Sequence, residues 1–599
     1  MMNIFPRFTC SAVFGLLLPA LLLTAMMPAW AAAEAKARVI HVSAQGDDAA
    51  DGESSATALR HIQAGLDAAG AGDTVRVHPG VYVERLETRR PGEPGRPIVL
   101  EGVDGAIVDG RKPTTLAWKR ADDLGEGVYE TPFDFNPMMV TVDGKMLVLL
   151  NPSRVQPSAK TEPEWVWTHI FKHGIRDRWD GVRGLALYLE QEQRLIIRLD
   201  QGAPPDAAQI TVAPAGPAVQ VSHDDVVVKN LEIRNSEIGI KVHNAERVEI
   251  AHCLIGPTAE GIWLGEGTAD GKVHHNEITQ NPYSVYEAGS LAWDTWLAHK
   301  SGGYWDTRAI YIYRTQGGHE VHDNYIHHHW DGISDVHWLQ WNSTAEQRMG
   351  WAHFNQDLNI HHNRLNLMND DALEANGAEV NNRWHHNLIS NARCAFRVKA
   401  VDVGPMYIYR NLFVDNNEDI RFFGSLELNP AEVYVYHNTS TSDAAITSNK
   451  IHGIGTPNFH VYNNLFYPKK WWHNSGESVD PNWSGDHNAY LFRSDVTREA
   501  IDEMKQKAVD YGLDGSSVWS YAATSTVSKI SAGDLTLSEM SPAREAGVVL
   551  SDVIERQLPD EPGYASGGRR PDAGAIPFGA AMPQIPRPAA NQFPDVEDR

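Results

Sequence analysis

The chain has 599 residues, of which 22% are charged and 9% aromatic, a composition that excludes an intrinsically disordered polymer. Its formal net charge of −25 lacks the basic field that a nucleic acid or an anionic membrane would seek. At this length one compact core is outgrown, unless the fold is an elongated repeat whose units touch only their neighbours.

Residues 1–32 read as a signal peptide. Arg7 supplies a positive start, the stretch from Phe8 to Met27 is mostly apolar, and Ala-Trp-Ala-Ala-Ala at 29–33 offers small residues for cleavage. Pro19 and Pro28 interrupt the run, which argues against an uncleaved membrane anchor. The expected location is therefore secreted or periplasmic, with no membrane association after cleavage. Cys10 would leave with the leader, and the remaining Cys253 and Cys394 leave a core that does not depend on disulfides. Residues 33–113 read as an N-terminal cap and first coils, in which Leu59, Ile62 and Leu66 recur at helical spacing and would plug a barrel end. Residues 114–222 break the pattern with GVYETP, MMVTVDGKMLVLL, GLALYLE and RLIIRL, strands of an inserted β-rich subdomain.

From 223 to 470 a phrase repeats: a short β-rich run, an asparagine, an apolar run, a turn. VVVKNLEI, KVHHNEI, EVHDNYI, NIHHNRL, RWHHNLI and YIYRNLF are examples. The shared column is Asn230, Cys253, Asn276, Asn324, Asn363, Asn387, Asn411, Asn438 and Asn464. Most steps run to about two dozen residues, one coil of a β-solenoid. The longer step from Asn276 to Asn324 is read as two coils, with Arg308–Arg314 as the extra rung. The step from Asn324 to Asn363 is read as one coil with an inserted loop. Asparagine tolerates the left-handed backbone of a tight turn, and identical amides one coil apart can bond in a ladder. Five coils would separate Cys253 from Cys394, roughly 24 Å at about 4.8 Å per coil, too far for a bridge. Residues 471–580 form a closing region, and the Pro- and Ala-rich tail at 581–599 is expected to be disordered.

With these phrases stand the opening HVSAQGDDAADGESSATALRHIQAGLDAAGAGDTVRVHPGVYVERL (41–86) and the closing SGDHNAYLF (484–492), LTLSEMSPAREAG (535–547) and RPDAGAIPFG (570–579). The chain thereby resembles the pectate-lyase-like superfamily of right-handed β-helix proteins, which includes polysaccharide lyases, glycosidases and uronate epimerases. The resemblance covers most of residues 39–579. It implies an all-β, right-handed parallel β-helix with an N-terminal capping helix and the inserted subdomain, and leaves the reaction open because one scaffold hosts several chemistries.

Strand side chains alternate in and out. If the apolar residue of each small–apolar–polar triplet points in, one outward column is Lys241, Trp263, Tyr286, Tyr311, Ser334, Glu374, Arg397, Arg421 and Thr447. A second is His243, Gly265, Ala288, Tyr313, Val336, Asn376, Lys399, Phe423 and Asn449, and the turn before the strand carries Glu260, Asp331, Asp371, Cys394 and Glu418. Carboxylates and fixed cations thus gather on neighbouring coils. A carboxylate pair suits work on a glycosidic bond, and an Arg–Lys–Arg group suits a uronate. The same charges would also form an ordinary salt-bridge strip.

Three readings follow, with a polysaccharide as the partner. The leading one is β-elimination on an acidic, uronate-containing polysaccharide. Here the resemblance implies Lys399 or Arg421 as base or proton donor, as related lyases on this scaffold use such residues. Hydrolysis is the alternative, with Glu374 and Asp371 or Asp331 as acid and nucleophile or base. Asp370-Asp371 and Arg397-Val398-Lys399 loosely echo polygalacturonase-like hydrolases, without the Gly-His-Gly element. The third is a non-catalytic, adhesin-like binding surface. Arg397, Asp331, Tyr311, Tyr313, Trp330 and Trp338 are assigned to substrate binding, since flat aromatic faces stack on sugars. Asp331, Asp371 and Glu374 offer hard oxygens for a calcium ion. The HHN triplets recur with the coil and read as part of the repeat, so His327–His329 is the one stretch considered for a transition metal. Capped ends predict a monomer.

Overall fold

The computed structural model describes residues 36–122, 124–150, 184–199, 202–205, 209–283, 307–336, 354–377, 379–399, 401, 403–423, 432–442, 446–449, 458–471, 483–493, 495–520, 527–529, 534–560 and 570–583. The expected signal peptide and most of the expected disordered tail lie outside them. Each coil lays one strand on each of three parallel sheets. The first has 13 strands, from Val39–Val42 to Ser484–Asp486, and the second has 13, from Gly80–Tyr82 to Val518–Ser520. The third has 10, from Leu86–Glu87 to Ile446–Asn449. The chain is a right-handed parallel β-helix, the hand that a twisted strand with a parallel crossover adopts in nearly all folds.

The alternation of each short strand explains the core. In the coil made of Asn359–His361, Arg364–Met368 and Asp371–Asn376, the residues Ile360, Leu365, Leu373 and Ala375 are all fully buried. Coils stack like on like: Ile333, Leu373, Phe396, Ile420 and Ile446 follow one another in register. Each such aliphatic side chain contributes about 1.5–3 kcal/mol by leaving water. The helix Ile62–Ala68 closes one end with Ile62 and Leu66, its first amides held by the Glu84 carboxylate at 2.9 and 3.1 Å. The helix Arg498–Asp510 brings Ile501 and Ala508 to the same continuous core.

The asparagine column is a buried ladder. From Asn276 through Asn324, Asn363, Asn387, Asn411, Asn438 and Asn464, each amide nitrogen donates to the next carbonyl oxygen at 2.9–3.1 Å. Asn488 forms the rung after Asn464. Three expectations need correction. Asn276 donates directly to Asn324, and Lys272–His274 pairs with Glu320–His322. The step between them is therefore one coil, and Arg308–Tyr313 is its third-sheet strand rather than an extra rung. Cys253 and Cys394 are accordingly one coil closer than expected, and both are buried free thiols. Asn230 is exposed and registers with His252, so Leu231 occupies the ladder position beside Cys253. Finally, the left-handed residue is the one before the ladder position: His252, His275, Asp323, His362, His386 and Arg410 all have φ between 53° and 55°. The ladder amide is spent on its neighbours instead.

The β-rich excursion leaves after Ala106–Asp109. It folds as a five-stranded and a three-stranded sheet around Val140, Leu147, Ala186, Leu195, Ile197 and Val212. It ends earlier than residue 222, because Pro217–Val221 pairs with Leu86–Glu87 and Ser236–Val242 as a strand of the third sheet. No helix among the described residues is long and apolar enough to cross a membrane.

Candidate functional site

The third sheet carries the charged patch. Along it Lys241, Trp263, Tyr311, Ser334, Glu374, Arg397, Arg421 and Thr447 register in one row, and Tyr313, Val336, Asn376, Lys399, Phe423 and Asn449 in the next. Tyr286, expected between Trp263 and Tyr311, lies outside the described residues, and those two residues pair directly. The corner row reads Arg308, Asp331 on adjacent strands, then Asp371, Cys394 and Glu418.

Asp331, Asp371, Glu374, Arg397 and Lys399 are brought together. Arg397 Nη2 lies 2.6 Å from Asp371 Oδ1, the Asp371 amide donates to Asp331 Oδ1 at 3.1 Å, and Lys399 pairs with Glu374 through Nζ and Oε1. Asp370 joins through Arg393 at 2.6 Å and Arg397 at 3.8 Å. Asp331, Asp370, Asp371 and Glu374 are each only 3% exposed, so these are not the loose pairs of a solvated strip. Arg421 stands one rung further on, 3.2 Å from Glu418.

The two carboxyls on the strand Asp371–Asn376 meet opposite environments. Burial raises the Asp371 carboxyl to about 6, offset only in part by Arg397 and reinforced by Asp370. Burial also opposes ionisation of Glu374, but the charges of Lys399 and Arg308 outweigh it and hold that carboxyl down at about 2. Lys399 in turn is desolvated, yet Glu374 and Asp371 raise it well above the usual lysine range.

The aromatic residues divide. Trp263, partly exposed, lies 5.0 Å from the Tyr311 ring and 6.3 Å from Tyr313, with Lys241 Nζ 4.6 Å over its face. Tyr311 is buried at 3% exposure, its ring covered by the Arg308 guanidinium at 4.7 Å. Trp330, assigned to a sugar face from sequence, is 1% exposed and presents no indole face to solvent. It stands at the corner between the strands Tyr325–His329 and Asp331–Val336. Tyr313 keeps partial exposure, and Trp338 lies outside the described residues.

Arg308 and Arg393 were missed as members of the cluster, and Asp370 had entered only through the Asp370-Asp371 echo. Arg308 was findable: it opens its strand in register with Asp331, three residues before Tyr311, which was already placed in the outward row. Several polar groups here lack hydrogen-bond partners among the described residues, Trp263 Nε1 and Asn376 Oδ1 among them. Ser334 Oγ, between Tyr311 and Glu374 in the row, and both amide atoms of Asn369, next to Asp370, are buried without a hydrogen bond. Such orphans are uncommon in finished cores and more at home where a ligand docks.

For calcium, Asp331, Asp370 and Asp371 each place one oxygen within 4.8 Å of the others. The donor type suits that ion. As placed, however, Arg393 and Arg397 already neutralise Asp370 and Asp371, and Glu374 is taken by Lys399. Asp331 is the third oxygen donor of that group, and no step is routed through a calcium ion.

No family model and no curated protein matches the chain. Among solved structures, a glycoside hydrolase aligns at 11% identity, covering 78% of this chain and 98% of that one, with a TM-score of 0.47. A complex of XylC with xylose aligns at 14% identity over 76% of each chain, with a TM-score of 0.44. The pectate lyase Pel9A aligns at 12% identity over 90% and 96%, with a TM-score of 0.37. The β-helix assignment rests on the strand registers.

Proposed function

We propose that this protein is a carbohydrate-active enzyme that hydrolyses glycosidic bonds in a polysaccharide, with Asp371 as the general acid and Glu374 as the ionised carboxylate that works with it. The observation that carries the reading is the opposite pairing of the two carboxyls, Glu374 on Lys399 and Asp371 on Arg397 beside Asp370. One strand holds Asp371 at about 6 and Glu374 at about 2. Pairs whose environments push them apart in this way mark acid and base roles. Lys399 keeps Glu374 charged, and the partly exposed Trp263 and Tyr313, on the two neighbouring rows, extend the patch as a stacking platform for sugar rings. Arg421, partly exposed one rung beyond Arg397, favours an acidic chain such as a polyuronate. Export through residues 1–32 to the periplasm or medium belongs to the same reading.

Elimination is the second reading, favoured by that same Arg421, which would draw a uronate carboxylate. It is placed second because Lys399, its expected base or proton donor, is held protonated far above a working pH, where proton transfer is inefficient in both directions.

The test is an assay of the full chain on acidic and neutral polysaccharides, with added calcium and with chelator. Hydrolysis releases reducing ends without ultraviolet absorbance, whereas elimination adds the absorbance of an unsaturated uronate. Glu374→Gln and Asp371→Asn are expected to lower kcat by roughly 10²–10⁴ each. Full activity in both variants would remove these residues from the chemistry. Binding without release of either product would instead favour the non-catalytic surface.

A further inference from the structure

Away from the third sheet, histidines gather on the outer side of the first sheet and at the corner leading to the second. His274, His322, His361 and His385 stack ring on ring at 4.9, 5.0 and 4.9 Å, and Tyr409 continues the pile at 4.6 Å. Stacking alone follows from parallel coils about 4.8 Å apart. The pairing at the corner adds a second feature. His274 and His275 face each other through Nδ1 at 3.0 Å, His361 and His362 at 2.8 Å, His385 and His386 at 2.7 Å. The far nitrogen of each first ring meets an acceptor: His274 Nε2 lies 3.5 Å from Glu249, His361 Nε2 3.5 Å from Glu320, His385 Nε2 2.9 Å from Asn359 Oδ1. An acceptor at Nε2 draws the ring proton there and leaves the Nδ1 lone pair aimed at the partner. The same outer contact orients imidazoles in metal centres.

A third imidazole comes within reach at one pair. The His252 ring lies 4.9 Å from His275, and one ligand atom from each of His252, His274 and His275 lies within 4.8 Å of the others. The pairs at 361–362 and 385–386 have no such triad among the described residues. We infer that His252, His274 and His275 form a binding site for a borderline divalent transition metal such as zinc or copper(II), on a face of the β-helix separate from the carboxylate cluster. Imidazole nitrogens suit these ions, and metal–nitrogen bonds of about 2.0–2.1 Å bring cis nitrogens to about the spacing seen between His274 and His275. His252 is exposed, so an ion reaches the site from solvent, and three ring ligands leave a position for water. Glu249 behind His274 sharpens the donor.

The experiment titrates the untagged full chain with zinc alone by calorimetry and with copper(II) alone by electron paramagnetic resonance. His252, His275 and His386 all occupy the left-handed turn position, at φ 55°, 55° and 54°, a conformation asparagine accepts. His252→Asn and His275→Asn therefore keep the fold, which circular dichroism checks, and His386→Asn is the matched control. The expected result is one saturable zinc site, weakened at least about tenfold by each of the first two variants and changed less than about twofold by the control. The copper spectrum should show splitting by several nitrogens that weakens in the same two variants. Absence of saturable binding, wild-type affinity in His252→Asn or His275→Asn, or an equal loss in His386→Asn would overturn the site, the last by showing diffuse binding along the histidine pile.

Discussion

Single residues here act mainly by what they leave unsatisfied. Asn363 accepts from the Asn324 amide and side chain at 3.1 and 2.9 Å and donates to Val321 O and Asn387 Oδ1 at 2.9 and 3.0 Å. Asn363→Ala strands two or more buried groups, and the expected loss is about 2–5 kcal/mol in denaturant unfolding. A larger loss at the ladder rung than at exposed Asn230, where φ of 57° leaves only a left-handed turn preference of about 1 kcal/mol to lose, would confirm that the amide network uses the ladder asparagine. At the carboxylate cluster the prediction concerns pH. Asp371, raised to about 6, holds its proton below that value and loses it above, so hydrolysis should decline as pH rises through about 6. Glu374 is kept ionised by Lys399, so Lys399→Met should move the acidic limb upward from about 2 in a pH–rate profile.

At the scale of the strand, the corners of the third sheet set the tolerance. Gly332 precedes the inward Ile333, and a Cβ there would stand 2.2 Å from Ala372 O and 2.4 Å from a Leu365 methyl. Backbone on the next coil cannot retreat cheaply. Gly332→Ala is expected to cost about 1–3 kcal/mol and to lower the melting temperature, with activity falling because Asp331, one residue earlier, positions the Asp371 amide. A variant that melts like the wild type would show that the coils breathe more than their registers suggest. The same scale explains the misread coil. Arg308–Tyr313 has the pattern of any third-sheet strand, and a long segment before it mimics the length of a coil. Only the pairing of Asn276 with Asn324 distinguishes an insertion from a rung.

Over the whole molecule, stability accumulates coil by coil, with helices closing the core at both ends. Buried acids impose a pH dependence on that sum. Asp335 and Glu379 share a hydrogen bond inside the helix beside Asn355, Asn382 and Trp384, and burial raises both carboxyls. Asp419, held by Asn416, Ser440 and Ser442, is raised by burial to about 7. A carboxyl raised on folding adds stability that is complete below its unfolded value near 3.8 and is lost as pH climbs through the folded one. The melting temperature should therefore fall between about pH 4 and about pH 7, and Asp419→Asn should flatten that slope. An unchanged slope would place the titration elsewhere.

The sequence by itself determined the coil period, the inward and outward faces of each strand, and therefore which charges share a row. These follow from periodicities of two residues and of one coil, both readable along the chain. Tertiary structure alone decided which residue takes the left-handed turn, that Trp330 is buried, and that Lys399 and Arg397 are committed to Glu374 and Asp371. It also decided how far the two carboxyls are driven apart. Each of these depends on burial and on partners one or more coils away, where charge energy is set by desolvation and distance rather than by order along the chain.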